Sequence, residues 1–120
     1  MSLDVYLSRK LYLSYDKGAT YTEKEETVFS SNITHNLNAM ADKAGIYEAC
    51  WRPEEIECKL AKDIIPILEK GVKELKEKPE VYKKFDSPNG WGTYEHFVHW
   101  VEKYLEACKT YPDAEISVSR

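Results

Sequence analysis

Several features are missing from this sequence, and each absence excludes a class of protein. No apolar run is long enough to cross a bilayer, and no apolar segment near residue 1 resembles the core of a secretion signal. These absences predict a cytoplasmic protein with no membrane partner. Cysteine is also scarce: Cys50, Cys58 and Cys108 form an odd set, so we expect free thiols and no disulfide framework.

An excess of basic residues is missing too. The formal net charge of −4 argues against a protein that coats duplex nucleic acid, because such proteins usually present a basic face. A small anionic ligand remains compatible with this charge, since a few well-placed groups can bind one. The sequence also has no Walker loop, dinucleotide fingerprint, nucleophile elbow, paired-carboxylate motif or metal box. It therefore predicts no catalytic residue, no cofactor and no metal site.

The residues that are present fit one globular domain. The chain has 120 residues, of which 42% are hydrophobic and 32% charged, as in ordinary folded domains with a single core. Residues 3–13 and 20–29 are rich in Leu, Val, Tyr, Thr and Phe, and the Asp16-Lys17-Gly18 turn between them predicts a hairpin. Residues 114–120 alternate between apolar and polar side chains, which predicts a terminal strand.

Helical periodicity fills the segment between the hairpin and the last strand. A first helix is predicted after the cap candidates Ser31, Asn32 and Thr34, with Ile33 on its buried face and Gly45 at its end. A second is predicted from Pro53 to about Lys78, kinked or restarted at Pro66. A helical turn follows within residues 80–88, and a third helix runs from Thr93 to about Lys109. The order β-β-α-α-α-β predicts a single α+β domain over residues 1–120. We expect a three-stranded, largely antiparallel sheet with helices on one face.

Candidate ligand-binding residues gather at two helix starts. If consecutive elements run up and down, both starts lie on one rim, where free backbone N–H groups attract anions and glycine lets a ligand approach the backbone. Tryptophan and tyrosine offer flat faces for a base, and an arginine can hold phosphate with two hydrogen bonds. The candidates are Asn32, Thr34, His35, Asn36, Arg52, Trp91, Gly92, Thr93 and Tyr94.

Each candidate also has a purely structural explanation. The glycines of Asn89-Gly90-Trp91-Gly92-Thr93 permit turn angles, Trp91 can plug the edge of the core, and Thr93 can cap a helix. His35 can bond a nearby carbonyl or carboxylate, or act as a base. Arg52 can bridge carboxylates such as Glu54 or Glu55. The histidines of the H-x-x-H pair, His96 and His99, are three residues apart, whereas two helical zinc ligands on one face are four apart, so no metal is expected there.

A resemblance covers nearly the whole chain. The blocks SxNITHNLxxMAxxAGIYxxxWRPEE, NGWGTYE and YPDAEIxVSR, together with the MSLDVYL start, resemble a family of small uncharacterised phage and prophage proteins. This resemblance implies a viral or prophage origin, and hence the host-cell cytoplasm, but it carries no established activity. Some small phage proteins of other families blunt host immunity by sequestering nucleotide signals, and extending that role to this chain is an analogy.

Three functions fit these observations. The first is a non-enzymatic binder of a small anionic, nucleotide-like ligand, for example a sponge that counters host defence signalling. The second is a protein–protein interaction module that inhibits a host enzyme, because Arg and aromatic residues also anchor interfaces. The third is a small hydrolase that uses His35, which is disfavoured because no supporting motif is present. A homo-oligomer whose site is completed by a neighbouring subunit is compatible with all three.

Overall fold

The computed structural model describes residues 2–120 as a three-stranded antiparallel sheet with helices on one face. The strands are β1 (Ser2–Leu13), β2 (Thr22–Thr34) and β3 (Glu115–Ser119), arranged in the order β2-β1-β3. The α+β class and the order of elements predicted from the sequence are confirmed. In the part of the chain described, no helix is both long and apolar enough to span a membrane.

The sheet has one buried face near the body of the protein. Leu3, Val5 and Leu7 alternate along β1 and are fully buried, as the period of two along a strand requires. Leu3 pairs with Ile33, and Leu7 pairs with Phe29. The Phe29 ring stacks on Tyr104 with centroids 5.9 Å apart, which ties the sheet to the last helix.

Beyond a β-bulge at Leu7/Ser8 the same two strands leave the body. Residues 9–26, which we call the arm, form a two-stranded hairpin whose strand side chains are exposed or half-buried. The molecule is therefore elongated, with extents of 59 × 27 × 23 Å. The arm ends in the predicted turn, where Lys17 and Gly18 both have positive φ.

Five α-helices follow β2. They are α1 (Asn38–Lys43), α2 (Tyr47–Trp51), α3 (Ala61–Glu77), α4 (Pro79–Tyr82) and α5 (Tyr94–Thr110), with 3-10 turns at His35–Leu37, Pro53–Ile56 and Lys83–Phe85. The long helices α3 and α5 pack on each other, and Gly71 allows α3 to approach Ile46 so closely that a Cβ there would overlap the Ile46 side chain. Thr93 caps α5 and Gly45 ends the α1 segment with positive φ, both as predicted.

Two predicted helix boundaries are wrong. Strand β2 continues to Thr34, so Ile33 is a buried strand residue rather than part of the first helical face, because its pairing with Leu3 completes the ladder. The Pro53 turn does not run into the second helix. Glu57, with φ of 58°, ends the turn, and α3 begins only at Ala61.

Of the two alternatives predicted at Pro66, a restart is wrong, because α3 is one helix from Ala61 to Glu77. Pro66 and Lys62 both lie on the exposed side of α3, where water is available to the Lys62 carbonyl that loses its usual donor at Pro66. The cost of the missing hydrogen bond is thereby reduced.

Candidate functional site

The two segments singled out by the sequence lie against each other at one end of the sheet. Gly92 has φ of 103°, and a Cβ at this position would lie 3.2 Å from Leu37 Cγ, 3.2 Å from Thr34 Cγ2 and 3.3 Å from Asn36 Cβ. Only glycine combines this backbone conformation with so close an approach. The start of the first helical segment and the loop before α5 therefore share one rim.

Hydrogen bonds hold the loop before α5 in place. The Asn36 side-chain amide donates to the carbonyl of Trp91 at 3.0 Å, and the Trp91 N–H donates to Asn89 Oδ1, also at 3.0 Å. The backbones of Ser87 and Gly92 are joined by a further bond of 3.2 Å. The Trp91 backbone is thus fixed on both sides, whereas 69% of the residue's surface remains exposed.

A cleft of about 560 Å³ opens at this rim. Its volume falls within the roughly 300–1,000 Å³ typical of small-molecule sites. We call it the rim cleft; its lining residues are Ser2, Asn32, Ile33, Thr34, Gly90, Trp91, Gly92 and His96. The lining contains backbone, hydroxyl, carboxamide and imidazole groups but no carboxylate. One carboxylate adjoins it, that of Asp4, which accepts a hydrogen bond of 2.7 Å from the side-chain amide of the lining residue Asn32.

The cap of α5 changes how an anion would be held. The carboxylate of Asp86 accepts the N–H of Tyr94 at 2.7 Å, and the hydroxyl of Thr93 accepts the N–H of His96 at 3.3 Å. Two of the N–H groups that normally attract anions at a helix start are thus already paired. Recognition of an anion in the rim cleft would have to rely on the His96 imidazole and the loop backbone instead.

Residues 34–37, which pack against Gly92, are called the rim segment. His35 belongs to this segment but does not line the rim cleft. Its Nδ1 accepts a hydrogen bond of 2.9 Å from the indole N–H of Trp51, a buried residue whose ring stacks on Tyr47 with centroids 5.6 Å apart. This bond requires Nδ1 to be unprotonated and thus selects the tautomer with a proton on Nε2. His35 therefore joins the rim segment to α2.

Arg52 is held by neighbours on its own segment. Its guanidinium donates to the Tyr47 hydroxyl at 3.2 Å and to the carboxylate of Glu55 at 3.0 Å. The hydrogen bond to Tyr47, followed by the one to Glu55, raises the pKa of Arg52. This geometry fits the structural explanation given for Arg52, contact with a neighbouring carboxylate, here that of Glu55. Arg52 does not line the rim cleft.

Of the nine candidates, four line the rim cleft: Asn32, Thr34, Trp91 and Gly92. Asn36 holds the loop through its hydrogen bond to the Trp91 carbonyl, and Thr93 caps α5. Tyr94 is buried and donates from its hydroxyl to the carbonyl of Leu75 at 2.7 Å, so it acts within the core.

Four lining residues were not among the candidates. Ser2 and Ile33 enter because β1 and β2 pair up to Ser2–Thr34, a register that only a correct end for β2 would have predicted. Gly90 belongs to the loop before α5, and its positive φ of 78° is ordinary for a glycine in such a turn. His96 occupies the first turn after the Thr93 cap, so its position follows from the predicted start of α5.

A second, larger cleft of about 920 Å³ runs along β3. Its lining carries three carboxylates, those of Glu54, Glu57 and Glu115, and two cations, Lys59 and Arg120, of which Arg120 is bound to Glu54. Carboxylates at the wall repel an anionic ligand. Volume alone would therefore choose the cleft with the less suitable charge.

The thiols and histidines form no additional site in residues 2–120. Cys50 and Cys108 are buried, and burial raises the pKa of both thiols, that of Cys108 to about 12. No three His, Cys, Asp or Glu side chains converge there in a metal-binding arrangement. Comparison of the chain with protein-family models, curated proteins and solved structures gave no match.

Proposed function

We propose that this protein is a non-enzymatic phage- or prophage-type accessory protein that binds a small anionic, nucleotide-like ligand in the rim cleft. The observation that carries the proposal is the placement of Trp91. Its indole is exposed, yet its backbone is fixed by Asn36 and Asn89 at the mouth of a cleft of suitable volume. A rigid, exposed aromatic face beside polar groups favours binding of a flat, polar ligand.

The polar lining suggests how the two parts of such a ligand would be divided. The base stacks on Trp91, while the hydroxyls of Thr34 and Ser2 and the side-chain oxygen of Asn32 offer hydrogen bonds to its edge or to a sugar. The side-chain nitrogen of Asn32 already donates to Ser2 and Asp4. The anionic group faces His96, since the lining has no carboxylate to repel it. The role of this binding, sequestration of a host defence signal, rests on the analogy with small phage proteins of other families and is part of the proposal.

Binding without turnover suits the environment of the most reactive candidate. His35 is engaged through Nδ1 by Trp51 and does not line the rim cleft, so a general base acting on the ligand would have to come from elsewhere. This arrangement supports a binding role over the hydrolase alternative.

Calorimetry and native mass spectrometry against a panel of cyclic nucleotides and ADP-ribose derivatives test the proposal. For any ligand that binds, Trp91→Ala should weaken affinity by about five- to 150-fold, the equivalent of roughly 1–3 kcal/mol for one stacked base. Tyr15→Ala removes an even more exposed aromatic at the arm tip, outside the rim cleft, and should leave affinity unchanged. An absence of binding across the panel by well-folded protein, or equal losses in both variants, would contradict the proposal.

A protein partner is the second candidate function. The observation in its favour is the arm tip, where Tyr15 and Tyr21 are 83% and 65% exposed. Exposed tyrosines are frequent anchors at interfaces. Capture of a stoichiometric host enzyme by the wild-type protein, and its loss in the Tyr15→Ala/Tyr21→Ala double variant, would favour an inhibitor that docks through the arm.

A further inference from the structure

Strand β1 has an open edge in the arm. On one side it pairs with β2 along its full length, from Ser2 to Leu13. On the other side it pairs with β3 only from Asp4 to Ser8. Residues 9–13 therefore have no neighbouring strand on that side within residues 2–120. We call this five-residue open edge the notch; it begins where β3 begins, beside Ser8, and ends at the arm tip.

The arm has two open edges, and they differ in charge. The outer edge of β2 carries Glu23, Lys24, Glu25 and Glu26 along its arm portion, so pairing that edge with itself brings carboxylates together despite the one lysine. Such acidic edges protect a sheet against unwanted pairing. The notch is different, because residues 9–13 contain no acidic side chain and carry only two charges, those of Arg9 and Lys10. Arg9 contacts Glu26 at 3.2 Å, and Lys10 contacts Glu23 at 3.4 Å.

We propose that the occupant of the notch is the notch of a second copy of this chain, paired antiparallel about a twofold axis at Leu11. In this register Leu11 faces Leu11, Lys10 faces Tyr12, and Arg9 faces Leu13. No two like charges are opposed, and the exposed Tyr12 gains the aliphatic stem and charge of a lysine.

The length of the notch supports this occupant. It is bounded at one end by β3, whose Glu115 pairs with Ser8, and at the other by the turn that begins at Ser14. A five-residue segment fills it, and the same five residues of a second copy supply that segment. The contact is isologous, so it closes at two copies and leaves no further notch open.

The pairing also explains how an isolated ribbon gains support. A two-stranded hairpin with little core contact is marginally stable in water, and four strands side by side are more stable. The rim cleft involves the opposite ends of β1 and β2, at Ser2 and Thr34, so assembly leaves it open. The proposal does not depend on ligand binding, and the two fail separately.

Cysteine cross-linking tests the register. Directly opposed residues on antiparallel strands have Cα atoms about 4.5–5.5 Å apart, which fits a disulfide. Leu11→Cys should therefore form a disulfide-linked dimer under mild oxidation. Lys24→Cys places a thiol on the paired residue of β2, away from the notch, and is the matched control. Both variants keep the native thiols, so any cross-link through the partly exposed Cys58 appears equally in both.

Sedimentation of the wild-type protein over a micromolar to millimolar range gives the second readout. We expect a concentration-dependent dimer, and we expect Leu11→Lys to shift the equilibrium toward monomer because it places two ammonium groups on the axis. A wild-type monomer at every concentration would overturn the proposal and leave the notch to a different protein. Equal cross-linking of Leu11→Cys and Lys24→Cys would overturn it as well.

Discussion

The rim and the arm both expose aromatic side chains, but they support them in different ways. At the rim, Trp91 projects from a loop that is tied to residues 34–37 by the Asn36 hydrogen bond and the close packing of Gly92, and that is braced internally by Asn89. In the arm, Tyr12, Tyr15 and Tyr21 project from a ribbon that is held by its own ladder and tip. At the base of this ribbon, Arg9 lies over the Tyr111 ring of the body, 5.9 Å from its centroid. A fixed aromatic beside a cleft suits a small ligand, whereas aromatics along an open strand suit a protein surface.

The largest expected effect concerns the rim. Gly92→Ala should lower the free energy of unfolding by about 3 kcal/mol, because alanine at φ of 103° is strained and its Cβ crowds Thr34, Asn36 and Leu37. Gly90→Ala is the matched control, since a Cβ there meets nothing within 4 Å. With φ of 78° it should cost only about 1 kcal/mol. Urea unfolding measures both, and equal losses would show that the packing against the rim segment is unimportant.

A smaller effect should follow from loss of the Asn36 side chain. Asn36→Ala removes the hydrogen bond to the Trp91 carbonyl, and we expect a loss of about 0.5–1 kcal/mol in the free energy of unfolding. Ligand affinity should fall as well, because the Trp91 loop is then held on one side only. Asn38→Ala, at an exposed position two residues later, should stay within about 0.5 kcal/mol of wild type. If Asn36→Ala leaves both the free energy of unfolding and the ligand affinity unchanged, other contacts must hold the loop.

The arm tip provides a test that depends on pH. Asp16 accepts hydrogen bonds from the hydroxyl of Thr20 at 2.6 Å, the N–H of Thr20 at 2.9 Å and the hydroxyl of Ser14 at 2.9 Å. These hydrogen bonds lower the pKa of Asp16 from 3.8 to about 2, and the two from Thr20 have the largest effect. Because the folded pKa lies below the ordinary one, the ionised carboxylate stabilises the tip fully above pH 3.8, and this contribution is lost as the pH falls toward 2.

We therefore expect the amide resonances of Gly18 and Thr20 to shift together between pH 4 and pH 2, about where the carboxylate takes up its proton. Asp16→Asn should remove this transition. The Trp91 amide, whose acceptor is the uncharged side chain of Asn89, provides the comparison at the rim and should not follow the same curve. An unaltered transition in Asp16→Asn would assign it to another carboxylate.

Much of the fold could be predicted because its signals are local. The arm turn at Asp16-Lys17-Gly18, the Thr93 cap and the Gly45 helix end depend on residues close in sequence. The end of β2 could not be predicted from the sequence. Ile33 fits a helical face as well as a strand, and only its pairing with Leu3 decides between the two.

The site shows the same limit. That the loop at Gly92 meets the rim segment follows from the up-and-down order of elements. The partner of His35 is the indole of Trp51, sixteen positions away, and the cap of Tyr94 is Asp86, on the far side of a turn. Both contacts depend on tertiary packing, and together they move the expected anion contact from the helix start to His96.

The smallest effect should come from removing most of the arm, and it tests the comparison most directly. Joining Arg9 to Glu26, which are paired residues, through an Asn-Gly turn keeps the bulge at Leu7/Ser8 and every buried contact of β1. Because the deleted residues lie outside the core and the connecting loop becomes shorter, the free energy of unfolding should change by less than about 1 kcal/mol. Ligand binding at the rim cleft should persist, while dimerisation through the notch should disappear. A shortened protein that unfolds, or that loses rim binding, would show that the arm and the body form one cooperative unit and that the two surfaces are not independent.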